Sequence, residues 1–200
     1  MKKKLNSRER RKIRREEERE KKKIEQILKN AYSRPLPFQW IPKFNLCART
    51  AMTDWSWTKL SKTLREKANY TCVYCGERHP EPWGTDLHEE WEYEIEKVDG
   101  KWKGTFKLKD LKCVCKNCHH VCHPGAAAHF ESKRIKEIIE RYCKINNINE
   151  DDAYKDFMMT KARRNALAEN ISEWKLEDGI LDKIKDKYGI TCCPKNNIQF

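Results

Sequence analysis

Between residues 87 and 108, apolar side chains alternate with polar ones. The alternating apolar positions are Leu87, Trp91, Tyr93, Ile95, Phe106 and Leu108. An alternation with a period of two residues predicts β-strands whose successive side chains point to opposite faces. Asp99-Gly100, which lies between the two runs, is a strong signal for a tight turn. The pattern therefore predicts a β-hairpin at the centre of the chain.

Apolar residues at helical spacing lie on both sides of this hairpin. Before it, Trp57, Leu60 and Leu64 share one helix face, and Thr53 or Ser56 could cap that helix. After it, the expected helices run from Cys118 through His123, from Ala126 to about Ile145, from Glu150 to about Ile171 and from Asp178 to Tyr188. The sequence thus predicts an α+β fold, a small hairpin core with flanking helices.

Two Cys-x-x-Cys pairs flank the predicted hairpin. The first is Cys72 and Cys75, and the second is Cys115 and Cys118. Paired cysteines at this spacing are typical of a structural Zn²⁺ held by four thiolates. Because such a site is closed, we expect it to hold the domain together without binding substrate. Cys113 and Cys122 are close enough in sequence to be rival ligands.

Three histidines lie near these cysteines in the sequence. His88 falls on the first predicted strand, and His119 and His123 are four residues apart on one face of the predicted helix. A neutral imidazole is both a good metal ligand and a suitable general base near neutral pH. Each histidine alone could be an ordinary surface or helix-end residue. Together, at these spacings, they favour a nuclease-type site.

Residues 58–128 resemble the HNH endonucleases, whose ββα-metal core is a hairpin followed by a helix. Such domains often have a Cys-x-x-Cys pair, a strand histidine, an asparagine and then Cys-x-x-Cys-His. The corresponding residues here are the Cys72 pair, His88, Asp110 and Cys115-Lys-Asn-Cys118-His119. The chain is similar to a bacterial and phage subgroup that pairs a His-Glu-x-Trp strand with a Cys-His-x-x-x-His-x-Gly helix start.

The resemblance implies an enzyme that hydrolyses DNA phosphodiester bonds. It implies that His88 is the general base that activates water, and that His119 and His123 bind a catalytic divalent metal such as Mg²⁺, Mn²⁺ or Ni²⁺. Asp110 stands where the family usually has asparagine, and we expect it to join the metal shell. A structural Zn²⁺ on the four cysteines would hold this site in place.

Two departures from the family pattern favour a second hypothesis. Leu87 precedes the expected base where the family often has Asp or His, so a nearby carboxylate, Asp86 or Glu89, would have to replace it. Asp110 replaces the usual asparagine. The alternative function is a catalytically inactive, zinc-stabilised module that binds nucleic acid or a protein partner, as a phage-encoded inhibitor or regulator would.

Positive charge is concentrated at the N-terminus of the chain. The formal net charge is +12, and residues 1–30 hold fourteen Lys/Arg against six Asp/Glu, a difference of 14 − 6 = +8. This excess predicts an arm that binds phosphates and becomes ordered on contact. The residues expected to bind nucleic acid are Arg10, Arg11, Lys12, Arg14, Arg15, Lys21, Lys22 and Lys23.

Composition sets the expected organisation and partners. Charged residues make up 37% of the chain and hydrophobic ones 38%, which predicts a small core stabilised by zinc. We expect a basic helical or disordered arm at 1–30, an extended connector at 31–57, the HNH-like domain at 58–128 and a helical extension at 129–200. The basic charge favours double-stranded DNA as partner, whereas the arm has too few apolar residues for a membrane surface.

The cysteines and the first residues bear on the cellular compartment. Metal-type cysteine spacing is typical of a reducing environment and differs from a secreted disulfide framework. The run Met1-Lys-Lys-Lys-Leu is followed by charged residues and has no signal-peptide pattern. We therefore expect a cytoplasmic protein of a bacterium or of a phage-infected cell.

Overall fold

A computed structural model describes residues 7–29, 34–39, 46–81, 83–124 and 132–195. The helices in these ranges are α1 (Ser7–Lys29), α2 (Ala48–Ala51), α3 (Asp54–Lys67), α4 (Lys116–Cys122), α5 (Ser132–Asn146), α6 (Glu150–Asn170) and α7 (Ile180–Tyr188). The strands are β1 (Thr85–Val98), β2 (Lys101–Cys115) and β3 (Glu173–Leu176). The predicted α+β class is confirmed.

β1 and β2 form the predicted antiparallel hairpin. Asp99 and Gly100 connect them with φ angles of 51° and 78°, and positive φ at both central residues is typical of the turn that matches strand twist. His88 pairs with Lys112. An irregularity in the pairing between Glu90 and Trp91 gives β2 one extra residue, which keeps the apolar residues of both strands on one face.

The two faces of the hairpin contact different cores. Leu87, Trp91 and Phe106 belong to a cluster that includes residues of α3, β3 and α7. Val114 faces the opposite way and packs in a second cluster with α4 and α5. Because strand side chains alternate, His88 lies on the same face as Val114, the face that α4 covers. The alternation thus aims His88 at the helix that carries the other histidines.

β3 is an element that the sequence analysis missed. It pairs parallel to β2, with Trp174 opposite Gly104. The indole ring occupies the space beside Gly104, where a Cβ would lie 2.3 Å from a ring carbon. A four-residue strand has too short a pattern to predict, and its place depends on the parallel contact with β2.

The longer helices follow the predicted order, whereas the four-residue α2 lies in the segment that was expected to be extended. Thr53 and Ser56 were the two possible caps of α3. Thr53 is the cap, because its side chain accepts a hydrogen bond from the Ser56 amide. The helix expected from Ala126 is described from Ser132 onwards, and residues 126–131 lie outside the described part. Within the described residues, no helix is long and apolar enough to cross a membrane.

The connector before α2 covers the second cluster. Leu36 and Phe38 are fully buried, and the Phe38 ring stacks on Tyr142 of α5 at a centroid distance of 3.9 Å. Phe38 therefore covers this core. The next aromatic residue of the connector, Trp40, lies outside the described residues.

Candidate metal centre

The four cysteines of the two Cys-x-x-Cys pairs converge. One sulfur from each of Cys72, Cys75, Cys115 and Cys118 lies within 4.8 Å of the other three, and the Cys75 and Cys115 sulfurs are 3.9 Å apart. Four thiolates at about 2.3 Å from a tetrahedral Zn²⁺ are about 3.8 Å from one another. The cluster could therefore hold a zinc ion, and it includes neither Cys113 nor Cys122.

Local backbone structure positions these sulfurs. Gly76 follows the first pair with a φ of 71°, and its amide donates to the carbonyl of Cys72 at 2.9 Å. Cys115 ends β2 and caps α4, where its sulfur accepts from the Cys118 amide at 3.5 Å. The hairpin and α4 therefore meet at the cysteine cluster.

Arg141 is a residue of the cysteine cluster that the sequence analysis missed. Its guanidinium extends from α5 and lies 3.3 Å from the sulfur of Cys118 and 3.5 Å from that of Cys115. Such contacts stabilise thiolates by charge-assisted hydrogen bonding. Nothing in the local sequence marks Arg141, because its role depends on how α5 packs against α4.

A second cluster consists of the three predicted histidines. One ring nitrogen from each of His88, His119 and His123 lies within 4.8 Å of the other two. Nδ1 of His88 is 3.1 Å from Nε2 of His123. Three imidazoles of a tetrahedral zinc site, at 2.0–2.1 Å from the metal, have nitrogens about 3.3–3.4 Å apart. The strand and the helix thus bring three nitrogen donors to metal-binding separation.

Asp86 orients His119, a half-buried member of this cluster. Its Oδ2 is 2.9 Å from Nδ1 of His119, which leaves Nε2 as the ring nitrogen of His119 that could bind a metal. Burial opposes ionisation of Asp86, but the hydrogen bond and charge of His119, together with those of Lys116, lower the pKa of its carboxyl. A carboxylate behind a histidine is a frequent arrangement in metal sites, where it fixes the ring and its tautomer.

His88 is deeply buried at the centre of the cluster. Only 1% of its surface is exposed, and its Nε2 is a buried atom without a hydrogen-bond partner among the described residues. Burial first, and then the neighbouring His123 and His119, lower the pKa of His88 well below its usual value. Burial likewise lowers the pKa of His123 to about 3. Both rings therefore stay neutral and have lone pairs to donate, which suits a metal ion.

Asp110 lies apart from the three histidines. Its carboxylate accepts from the hydroxyl of Tyr188 at 2.7 Å and lies 2.9 Å from Nζ of Lys187, both on α7. It pairs across the hairpin with Glu90, whereas His88 pairs with Lys112. Asp110 is thus on the same face as His88 but two residues further from α4. Asp110 therefore contacts α7, whereas the sequence predicted that it would join the metal shell.

Glu89, the other carboxylate considered near the site, points away from it. Its side chain accepts from the amide of Arg49 at 3.3 Å on the opposite face of the hairpin. Burial raises the pKa of Glu89 to about 7, although the backbone hydrogen bonds from α2 oppose the shift. Of the two carboxylates that could replace the missing family ligand, only Asp86 contacts the histidine cluster.

The basic arm is helical over its described part. The residues expected to bind nucleic acid are exposed on α1, and they are distributed around the helix. Arg10 and Lys21 fall on the side of Glu17, which contacts Lys97 of the hairpin.

The chain was compared with protein-family models, with curated proteins and with solved structures, and none of them matches it. The geometry of the two clusters therefore carries the functional argument.

Proposed function

We propose that this protein is an HNH-type, metal-dependent endonuclease that hydrolyses DNA phosphodiester bonds. The observation that carries the proposal is the convergence of His88 from β1 with His119 and His123 from α4. A hairpin, a following helix and a four-cysteine cluster at their junction are the parts that the HNH resemblance implies. The net charge of +12 supports a polyanionic substrate.

The donor set favours a particular class of metal. Three imidazole nitrogens suit Zn²⁺, Ni²⁺ or another transition metal better than Mg²⁺, which prefers oxygen ligands. Three protein ligands also leave one tetrahedral position open, as in catalytic zinc sites. When bound, such a cation acidifies coordinated water and stabilises negative charge on phosphoryl oxygens.

The geometry favours a different role for His88 from the one expected from the sequence. A free general base must reach its water, but His88 is almost fully buried and lies 3.1 Å from His123. We infer that His88 is the third ligand of the cation. His119, held by Asp86, is then a half-buried ligand with 27% of its side chain exposed, and we expect the open position beside it.

Two lysines supply positive charge beside the site. Lys116 lies 3.2 Å from Asp86, and Lys112, opposite His88, lies 2.7 Å from the carboxylate of Glu90. Their ammonium groups reduce the repulsion between these carboxylates and an incoming phosphate. We expect them to bind the substrate backbone without reading its sequence.

The test combines metal content with cleavage. Wild type, His88→Ala, His119→Ala and the control His120→Ala are purified, their bound metals are counted by native mass spectrometry, and nicking of supercoiled plasmid is measured with Zn²⁺, Ni²⁺, Mn²⁺ or Mg²⁺. His120 is the matched control because it is next to His119 but its ring lies 2.9 Å from Arg134, away from the cluster.

We expect two metals for wild type and His120→Ala, with divalent-dependent nicking. His88→Ala and His119→Ala should retain one metal and lose nicking. If His88→Ala keeps both metals and still loses nicking, His88 is the general base that the sequence predicts. Nicking that survives both substitutions would overturn the proposal.

The burial of His88 favours a second candidate function. A fully buried ligand also suits a structural metal, in which case the protein would be an inactive, zinc-stabilised module that binds nucleic acid or a protein. That function requires two bound metals and no nicking with any cation. The same experiment therefore separates the two functions.

A further inference from the structure

Helix α1 has two chemically different sides. Arg8, Arg11, Arg15, Arg19 and Lys22 are separated by three or four residues and so form one continuous stripe. Ile13, Glu17 and Glu20 follow the same spacing about half a turn away. Five basic residues thus share one side of α1, although other basic residues lie elsewhere around the helix, and two acidic residues lie on the side opposite the stripe.

The acidic side is fixed to the hairpin. Nζ of Lys97 lies 3.4 Å from Glu17 and 3.5 Å from Glu20. The indole nitrogen of Trp102 donates to Glu20 at 3.2 Å. These contacts set the rotation of α1 about its own axis, because both glutamates must face the hairpin. The side with the five basic residues therefore faces outward, and all five are exposed.

We propose that this outward stripe is a binding surface for the phosphate backbone of double-stranded nucleic acid. The 23 residues of α1 span about 34 Å at 1.5 Å per residue, close to the ~34 Å length of one duplex turn. Guanidinium groups bind phosphate with two parallel hydrogen bonds, and four of the five residues are arginines. The ligand class rests on the proposed function, whereas the choice of helix face does not.

The stripe suits a nucleic acid better than an anionic membrane. A helix that lies in a membrane interface needs a wide apolar face opposite its basic one. The side of α1 opposite the stripe combines Ile13 with Glu17 and Glu20, and the two glutamates contact Lys97 and Trp102 of the hairpin. Because charged residues interrupt this side and the hairpin lies against it, it does not present a wide apolar face to a membrane.

Two triple variants test the surface with equal changes in charge. The outer variant replaces Arg11, Arg15 and Lys22 with Gln. The inner variant replaces Arg10, Arg14 and Lys21 with Gln, so it removes the same residue types at the same spacing, one position earlier. Each variant lowers the formal net charge from +12 to +9. Circular dichroism checks that each full-length variant keeps its helix content.

Binding to a fluorescent 30-base-pair DNA is measured by anisotropy over a range of salt concentrations, without added divalent cation. Each phosphate contact contributes about 0.9 to the slope of log K against log salt, so loss of three contacts reduces the slope by about 2.7. The same relation gives a loss of affinity on the order of 100-fold near 0.15 M salt. We expect this loss for the outer variant and less than about threefold for the inner one.

Equal losses in the two variants would overturn the choice of face, and no loss in either would exclude the arm as the binding surface. Sedimentation with phosphatidylglycerol vesicles completes the test: if the outer variant loses vesicle binding but keeps DNA binding, the partner is a membrane. Plasmid nicking is scored separately. A protein that binds DNA through the outer stripe but never nicks it would refute the nuclease and leave this surface established.

Discussion

Replacing Asp86 with Asn tests whether the histidine cluster is a metal centre oriented by a carboxylate. Oδ2 of Asp86 is 2.9 Å from Nδ1 of His119. Asn has the same size, and its amide oxygen can still accept from Nδ1, but it lacks the charge that makes the ring a better donor. Loss of such a partner typically lowers metal affinity about 10- to 100-fold. We expect the lower end, because one hydrogen bond is kept.

Asp110→Asn is the matched control. It makes the same chemical change on the same face of the hairpin, at the residue that the sequence places in the metal shell. Its carboxylate instead binds Lys187 and Tyr188. We expect unchanged metal affinity and a decrease in the free energy of unfolding of about 1–2 kcal/mol, because contacts to α7 weaken.

The assay loads the four-cysteine site with one equivalent of zinc and titrates a second metal against a chromophoric chelator. Co²⁺ is informative because thiolate ligands give intense absorption that imidazole ligands do not. A tenfold loss for Asp86→Asn corresponds to about 1.4 kcal/mol of binding free energy. The reasoning fails if Asp110→Asn weakens the second metal more than Asp86→Asn does, or if neither variant changes its affinity.

Three further predictions concern stability and the cysteine cluster. Arg141→Ala should release zinc to a chelator about tenfold faster, since two hydrogen bonds to thiolates are lost; an unchanged release rate would contradict it. Gly104→Ala should lower the free energy of unfolding by about 1–3 kcal/mol in urea melts, because its Cβ would meet the ring of Trp174. Burial raises the pKa of the Glu89 carboxyl from 4.5 to about 7. The protonated carboxyl therefore contributes its full stabilisation of the fold below pH 4.5, and this stabilisation is lost as the pH rises through 7. Glu89→Gln should be more stable than wild type at pH 8, by about 1–3 kcal/mol in the free energy of unfolding, and similar at pH 5.

Local features of the sequence were enough for much of the fold. The period of two predicted the hairpin, and Asp99-Gly100 predicted its turn, because both depend on neighbouring residues. The two Cys-x-x-Cys pairs predicted a four-cysteine cluster. Each pair is a local knuckle, and the hairpin between the pairs brings them together. The spacing of four residues also placed His119 and His123 on one helix face.

Contacts between residues that are far apart in the chain could not be predicted from these local patterns. The resemblance placed Asp110 at the metal and left Asp86 and Glu89 as alternatives for a further carboxylate. Of these three, only Asp86 contacts a histidine of the cluster. Asp110 is two residues further along the sheet and binds Tyr188 of α7. β3 and Arg141 were missed for the same reason, as each depends on elements far apart in the chain.

The sequence by itself determined the residue types, their spacing and the positive charge of the arm. The tertiary structure alone decided which carboxylate faces His119, how deeply His88 is buried and which side of α1 faces outward. The physical reason is that periodicity fixes a side chain's direction within its own strand or helix. The packing of one element against another decides which residues that side chain contacts. Glu17 and Glu20 are an example, because they contact Lys97 only where α1 lies against the hairpin.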